Sequence, residues 1–363
     1  MRLKVDDLDD LSLGGVFLAT GGGGDPYVSY LLARQALTES GGIELIEADS
    51  LNDDAFVATI GGVGAPSVSL ELLPSIGDPL KALRAFEAHV GRKVEALVAF
   101  EVGGGNSLVP LIAAAQSGLP VVDGDGMGRA LPEAQMMTFP IAGILPTPAL
   151  AIDYEGNAAM FDSGSAETYE RHIRAVTQAM GGMIIAVEHP MSGQALKSAV
   201  VRGTLSFSIE IGRILREQRG LAPELLGPLS AAFERSQYGA LAELFTGKVV
   251  DYASAIVGGY DVGKATLAPF EGDGPSLTID IRNEYLVARV GERVLASVPD
   301  LITVLDYETG TPINAERLRF GQRVTVVGVG CPDYYRTARA LEVVAPRCFG
   351  FDFDYVPIEQ RLG

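Results

Sequence analysis

Leu97-Val98-Ala99-Phe100-Glu101-Val102-Gly103-Gly104-Gly105-Asn106-Ser107 and, one helix-length later, Leu119-Pro120-Val121-Val122-Asp123-Gly124-Asp125-Gly126-Met127-Gly128-Arg129 decide the fold. Each stretch is an apolar run of strand length that breaks into glycines and carboxylates. Leu108 to Gln116 between them has helical composition, so the plan is strand, loop, helix, strand, with Val94 to Val102 and Leu119 to Val122 as adjacent parallel strands. In an open α/β sheet the carboxyl ends of such strands frame the ligand crevice, because loop N–H groups and helix amino termini converge there.

Glu101 interrupts a run otherwise typical of a strand buried on both faces. A buried carboxyl must be paired, hydrogen-bonded or protonated. Asp123 and Asp125 stand at the end of the neighbouring run. Caps and Asx-turns use the same residue types, but three carboxylates at two strand ends exceed what turning the chain requires. Glu101, Asp123 and Asp125 are therefore the candidate acid–base residues, with like-charge repulsion keeping one of them protonated.

Upstream, Ala19-Thr20-Gly21-Gly22-Gly23-Gly24-Asp25-Pro26 leads into a helix over Tyr27 to Leu37, with Asp25 suited to the N-cap and Pro26 to the first helical position. Gly22, Gly23 and Gly24, with Gly104, Gly105 and Asn106 of the second loop, are the candidate N–H donors to ligand oxygens. The loop lacks both the Gly-Lys-Ser/Thr of a Walker loop and the spacing of a dinucleotide fingerprint. A third Gly-rich loop, Gly61 to Gly64, follows a short strand, Phe56 to Ile60. Ile43 to Ala48, Phe139 to Gly143 and Ala149 to Tyr154 read as further strands, and Pro79 to Val90 as an amphipathic helix with His89 beside its apolar face.

The 363 residues are 47% hydrophobic and 20% charged, enough for a large core. The 44 glycines in so apolar a chain indicate tight turns and backbone-lined sites rather than disorder. With 28 basic against 46 acidic residues and a net charge of −18, no nucleic-acid partner is expected, and a small molecule is. No run has the length of a membrane span, and the two cysteines, Cys331 and Cys348, do not make a disulfide framework, so no membrane partner and a cytoplasmic location are expected. Cys331 lacks a neighbouring histidine and reads as a small buried residue. Mean hydropathy of +0.23 leaves a homo-oligomer with closed symmetry as an open expectation.

From residue 166 to 245 the pattern is largely helical, with Glu188-His189-Pro190 between two helices read as structural and His189 as extended, since it precedes a proline. From Gly247 short strands dominate: Lys248 to Val257, Ser276 to Arg282, Tyr285 to Val290, Val294 to Val298, Leu301 to Asp306, Arg323 to Val329 and Leu341 to Val344, with hairpin turns at Gly291-Glu292 and Glu308-Thr309-Gly310. The expected fold class is α/β: an amino-terminal three-layer α/β domain over residues 1–163, and a domain of helices plus a β-barrel-like region over residues 164–363.

Three motifs, Ala19 to Pro26, Glu101 with Gly103 to Asn106, and Val121 to Arg129, together resemble the S-methyl thiohydantoin desulfurase family. The resemblance continues through Asn283-Glu284-Tyr285, Pro299-Asp300-Leu301-Ile302, Arg319 to Val324 and Pro346 to Asp352. It implies an α/β domain joined to a β-barrel-like domain, association with a hydantoinase- or oxoprolinase-type protein, and removal of the S-methyl sulfur from a five-membered cyclic amide substrate. It carries no catalytic residue set. The chemistry needs water attack on the ring carbon bearing sulfur and a proton for the departing thiol or the adjacent nitrogen. Asp125 or Asp123 would be the base, Glu101 the acid, and Arg129 either an anchor for an acidic ring substituent or an ion-pair partner of Glu133. Glu101, Asp123 and Asp125 are also hard oxygen ligands suited to a divalent metal such as magnesium or manganese, whereas the absence of His-x-His and His-Glu-x-x-His disfavours zinc. The alternative to a hydrolase is a non-catalytic accessory or ligand-binding subunit of a hydantoinase-type enzyme.

Overall fold

A computed structural model describes the chain except for Arg219, Gly363 and the side chains of Ser69 and Leu70. Nine strands form the first sheet: β1 (Arg2–Leu3), β2 (Ile43–Ile46), β3 (Phe56–Gly64), β4 (Ala96–Ala99), β5 (Val121–Asp125), β6 (Ala149–Ile152), β7 (Ala158–Phe161), β8 (Met183–Ser192) and β9 (Val201–Arg202). Their order is β1-β2-β5-β4-β3-β8-β6-β7, with β9 added to β5. The central β2, β5, β4 and β3 run parallel, and the others pair antiparallel. Every residue of β4 and β5 is buried, as expected for parallel strands covered on both faces.

Seven strands form the second sheet: β10 (Leu241–Val257), β11 (Tyr260–Ala268), β12 (Leu277–Arg282), β13 (Glu284–Val290), β14 (Arg293–Ser297), β15 (Leu301–Asp306) and β16 (Arg323–Val329), in the order β14-β13-β12-β11-β10-β16-β15. It is antiparallel throughout and curls into a half-barrel. Alternate residues of β12 (Leu277, Ile279, Ile281) fill its concave core together with Ile302, Val304 and Val324. The fold class is thus α/β with a parallel-containing sheet and a half-barrel.

The two parts are not separate bodies joined by a linker. β8 and β9 lie beyond residue 163, yet β8 sits between β3 and β6 and β9 lies on β5. The helix Thr204–Gln218 crosses the first helix, Leu8–Leu18, at backbone distance: a Cβ at Gly14 would overlap the Ser208 carbonyl, and one at Gly212 the carbonyl of Asp10. Asp10 then takes Arg216 on both carboxylate oxygens, at 2.6 and 3.0 Å.

Several local expectations change. β5 continues through Asp123, Gly124 and Asp125 instead of turning there, because β9 supplies a pairing partner at Gly124 and Asp125. Gly61 to Gly64 belongs to β3, paired with Met183 to Ala186 of β8. Phe139 lies in a helical turn, Thr138–Ile141, and Pro140 could not have donated to a ladder. Leu341–Val344 belongs to the helix Ala338–Val344, whose start Thr337 caps by accepting from Ala340 N–H and whose Ala340 and Val344 are buried four apart. β11 adds a strand to those expected, with Asp261, Gly263 and Lys264 interrupting its apolar pattern. Asp25 accepts from Tyr27 N–H at 2.8 Å, one position earlier than the N-cap, which is Pro26. His189 is not extended but has φ of 50° within β8.

Candidate functional site

The loop that follows β3's neighbour β4 carries Glu101, and the structure buries it in the wall of a cleft. Asn106 holds it there: Asn106 Nδ2 donates to Glu101 Oε1 at 2.8 Å and to the Gly62 carbonyl at 3.2 Å, while Asn106 Oδ1 accepts from Gly62 N–H at 2.7 Å. Leu131 N–H donates to the other carboxyl oxygen at 3.3 Å. Burial pushes the Glu101 carboxyl up to about 7, against these donors; the charge of Asp125 adds to the rise and that of Arg129 opposes it.

A second carboxyl comes from the half-barrel. β12 and β13 are joined through Asn283 alone, which tolerates its φ of 59° as asparagine commonly does. That tight turn sets Glu284 into the same cleft. The turn docks because Gly21 and Gly22 have no side chains: a Cβ at Gly21 would lie 2.6 Å from the Tyr285 ring, and one at Gly22 would overlap the Glu284 carboxyl. Tyr285 N–H donates to the Thr20 carbonyl at 2.7 Å, and Thr20 itself has φ of 53°. Glu284 is held well above the usual carboxylate range, first by burial and then by the Glu101 charge, with Arg129 opposing. Its Oε2 has no hydrogen-bond partner among the described residues.

The remaining wall is acidic. Glu133, Glu170 and Glu188 also line the cleft, and Arg174 is the one guanidinium among its lining residues. Glu170 is already engaged by Arg174 Nε at 2.9 Å, by the Tyr260 hydroxyl at 2.9 Å and by Ala134 N–H at 2.9 Å. Glu133 is paired with Arg282, not with Arg129. Glu188 accepts from the Tyr169 hydroxyl and lies 3.3 Å from His189 Nδ1.

The glycine loop turns its carbonyls inward. Asn314 Nδ2 donates to the Gly22 carbonyl at 3.1 Å, Asn106 N–H to that of Gly23 at 3.3 Å, and Gly105 N–H to that of Gly24 at 3.0 Å. A trans peptide sets its N–H opposite its carbonyl, so the N–H groups of Gly23, Gly24 and Asp25 point away from those donors.

The sequence-derived candidates separate accordingly. Glu101, Gly23, Gly24 and Asn106 line the cleft, and Gly105 lines a neighbouring cavity. Gly22, Gly104 and Arg129 do not line it: Gly22 is covered by Glu284, and Gly104 by the Gly24 carbonyl. Arg129 is wholly buried and spends its donors on the carbonyls of Ala130, Pro299 and Asp300 and on the Thr20 hydroxyl, at 2.7 to 2.9 Å. It is a fastening between loops, not a ligand anchor, although its charge acts on both Glu101 and Glu284. Asp123 Oδ1 accepts from Leu205 and Ser206 N–H at 3.1 and 3.0 Å, capping the helix Thr204–Gln218. Asp125 Oδ1 accepts from Met127 and Gly128 N–H. Burial pushes Asp125 up to about 7, but it stands behind Glu101 rather than in the cleft. Since Glu101, Asp123 and Asp125 direct their oxygens at different N–H donors, they do not form a shared cation site, and no three His, Cys, Asp or Glu among the described residues are arranged to hold a metal ion. Cys331 is buried, with its thiol pushed up to about 12 by that burial, as befits a packing residue.

Two family models account for the chain: the S-Me-THD-like N-terminal domain matches residues 6–163, and the S-Me-THD-like C-terminal domain residues 164–358. The chain belongs to the S-Me-THD-like family. A crystal structure of a structural-genomics protein from Chromobacterium violaceum shares the fold, with a TM-score of 0.83 over 99% of this chain and 100% of that one at 24% identity. No curated protein matches. No helix among the described residues is long and apolar enough to cross a membrane.

In this S-Me-THD-like chain the cleft draws on both family domains, Glu101 and Asn106 from the first, Glu188, Asn283 and Glu284 from the second. Glu188 and Glu284 carried the same signal that singled out Glu101, a carboxylate bordering an apolar strand. In sequence Glu188 stands out only as a neighbour of His189, and Glu284 only as part of a family motif. What the chain order hides is that Glu284 returns to within electrostatic reach of Glu101.

Proposed function

We propose that the protein is a hydrolase of five-membered cyclic amides, desulfurising S-methyl thiohydantoin-like rings, with Glu101 as general base and Glu284 as general acid. The observation that carries this reading is the pair of buried carboxyls in one cleft, where the charge of Glu101 adds to the proton affinity of Glu284. Glu101, near 7, is part-ionised at neutral pH and can take a proton from water, while Glu284, held well above the usual carboxylate range by burial and then by the Glu101 charge, keeps a proton to give. A charged carboxyl that keeps its buried neighbour protonated suits paired acid–base work. A wall of five carboxyls against one guanidinium favours a neutral ring over a phosphate or other anion.

In the proposed step water loses a proton to Glu101 and its oxygen bonds to the ring carbon bearing sulfur. The ring C=N electron pair moves to nitrogen, which takes the proton held by Glu284. The tetrahedral adduct then expels methanethiolate, protonated from Glu101, and the new hydroxyl returns its proton to Glu284 as the carbonyl forms. The balance is one water consumed, one thiol released and one hydantoin carbonyl made. Gly23 and Gly24 N–H groups would receive ring oxygen, and Asp125 would act only through Glu101.

Thiol release from an S-methylated thiohydantoin by the purified protein tests this. Wild-type release, with a loss of at least 100-fold in both Glu101→Gln and Glu284→Gln, is expected. Unchanged rates in both variants would reject the pair. A second reading, an accessory partner of a hydantoinase-type enzyme, draws support from the β10–β11 hairpin, where Ile256 and Val257 are more than half exposed; on that reading thiol appears only when the partner is added.

A further inference from the structure

Three of the residues that line the cleft carry nitrogen donors on their side chains: Asn106, Arg174 and Asn283. Two of them are engaged within the protein. Asn106 Nδ2 gives its two hydrogens to Glu101 and to the Gly62 carbonyl. Every nitrogen of the Arg174 guanidinium also donates, Nε to Glu170, one Nη to the Pro132 carbonyl at 2.9 Å and the other to the Gly259 carbonyl at 3.4 Å. Asn283 differs. Its Oδ1 accepts from Asp261 N–H at 2.9 Å, and its own N–H donates to the Asp261 carbonyl at 2.7 Å. A backbone N–H only donates, so the bonded atom of the amide is the oxygen, and Nδ2 is left over. Nδ2 donates to no group among the described residues, and unlike Glu284 Oε2 it is not sealed from solvent. The support is firm, because both carboxylate oxygens of Asp261 are themselves taken by Ser67, its N–H at 2.9 Å and its hydroxyl at 2.7 Å.

The turn accounts for the backbone of residue 283 but not for its side chain. Glycine reaches a φ of 59° without steric cost. Asparagine adds an amide with its oxygen pinned and its N–H groups unspent, directly before Glu284. We propose that Asn283 Nδ2 is a substrate-binding donor, which selects rings that carry a carbonyl next to the nitrogen protonated by Glu284. The inference rests on the hydrolase reading above. A thiohydantoin ring has one nitrogen between the carbon bearing sulfur and the carbonyl carbon. A proton delivered to that nitrogen by Glu284 sets the carbonyl oxygen one atom further round the ring, where the residue beside Glu284 is the uncommitted side-chain donor. A carbonyl oxygen has two lone pairs, so the N–H groups of Gly23 and Gly24 in the same cleft can share it with Asn283. A ring without this oxygen would bury the amide donor unpaired, which is how a site built to hydrogen-bond a group rejects the analogue that lacks it.

The test is calorimetric titration of wild type, Asn283→Gly and Asn283→Asp with hydantoin and with imidazolidin-2-one, the same ring without the second carbonyl. Both rings are neutral, so the acidic wall acts alike on them. Asn283→Gly keeps the φ of the turn, and Asn283→Asp keeps an acceptor for Asp261 N–H while removing the donor. Unfolding temperatures report which variants are folded, and either one that folds carries the comparison. Wild type should bind hydantoin tighter by about tenfold or more, and each folded variant should cut that preference by roughly fivefold. A preference that a folded variant leaves unmoved, or no binding of either ring by wild type, overturns the assignment of Asn283. Thiol release from an S-methylated thiohydantoin, measured on the same wild-type sample, judges the hydrolase reading separately: release leaves it standing whatever the titrations give, and no release overturns it and the assignment of Asn283 with it.

Discussion

A carboxyl that is protonated because it is buried leaves a mark on stability as well as on chemistry. Glu101 rises from an ordinary 4.5 to about 7 on folding. The native state therefore binds the extra proton, and the stability linked to Glu101 is complete below about 4.5 and lost as pH rises through 7. The full shift corresponds to roughly 3 kcal/mol. Glu101→Gln, which cannot ionise, should accordingly melt higher than wild type at pH 8 by several degrees, with the difference shrinking toward zero at pH 4.5; a difference independent of pH would show that Glu101 is not held protonated. Asp123 makes the opposite case. As a cap on two N–H groups it should cost about 1 kcal/mol when changed to alanine, with thiol release by the folded variant essentially unchanged. A rate loss beyond tenfold in Asp123→Ala would return it to the chemistry. The sequence exposed both residues as carboxylates at strand ends but could not separate them, because what distinguishes them is whether a helix amino terminus, 82 residues away for Leu205, comes to meet the side chain.

Among the elements, β15 and β16 are found where their apolar runs placed them, since a strand inside a sheet needs little beyond that pattern. The end of β5 has the turn chemistry of Asp-Gly-Asp-Gly, and pairing with β9 at Gly124 and Asp125 and with β4 at Asp125 makes it a ladder instead. The crossing of Leu8–Leu18 and Thr204–Gln218 was equally hidden, for Gly14 and Gly212 look like poor helix residues until each is seen to lie under the other helix. Gly212→Ala tests that contact. On an exposed helix the change would stabilise by about 1 kcal/mol; here a methyl group meets the Asp10 carbonyl, and overpacking should destabilise by roughly 1–3 kcal/mol or more in denaturant unfolding. A gain in stability would show that the helices can part at no cost.

At the scale of the whole molecule, the border between the two family domains falls at residue 163, while the first sheet runs on through β8 and β9. Residues 1–163 alone would leave the facing edges of β3 and β6 unpaired, so this fragment should not unfold cooperatively, and adding residues 164–363 should restore a single transition. Cooperative melting of the fragment alone would show that β8 is dispensable. Composition shows the acidic chain, but not that Glu284 of one family domain enters the cleft lined by Glu101 of the other. The closure by Glu284 also has an order in time. During synthesis Glu101 emerges 183 residues before Glu284, which at about 5–20 residues per second is roughly 10 to 40 seconds. Throughout that interval Glu101 is an ordinary hydrated carboxylate on a nascent chain, fully charged at neutral pH, and the proton that it shares with water in the folded protein is taken up only as folding buries it.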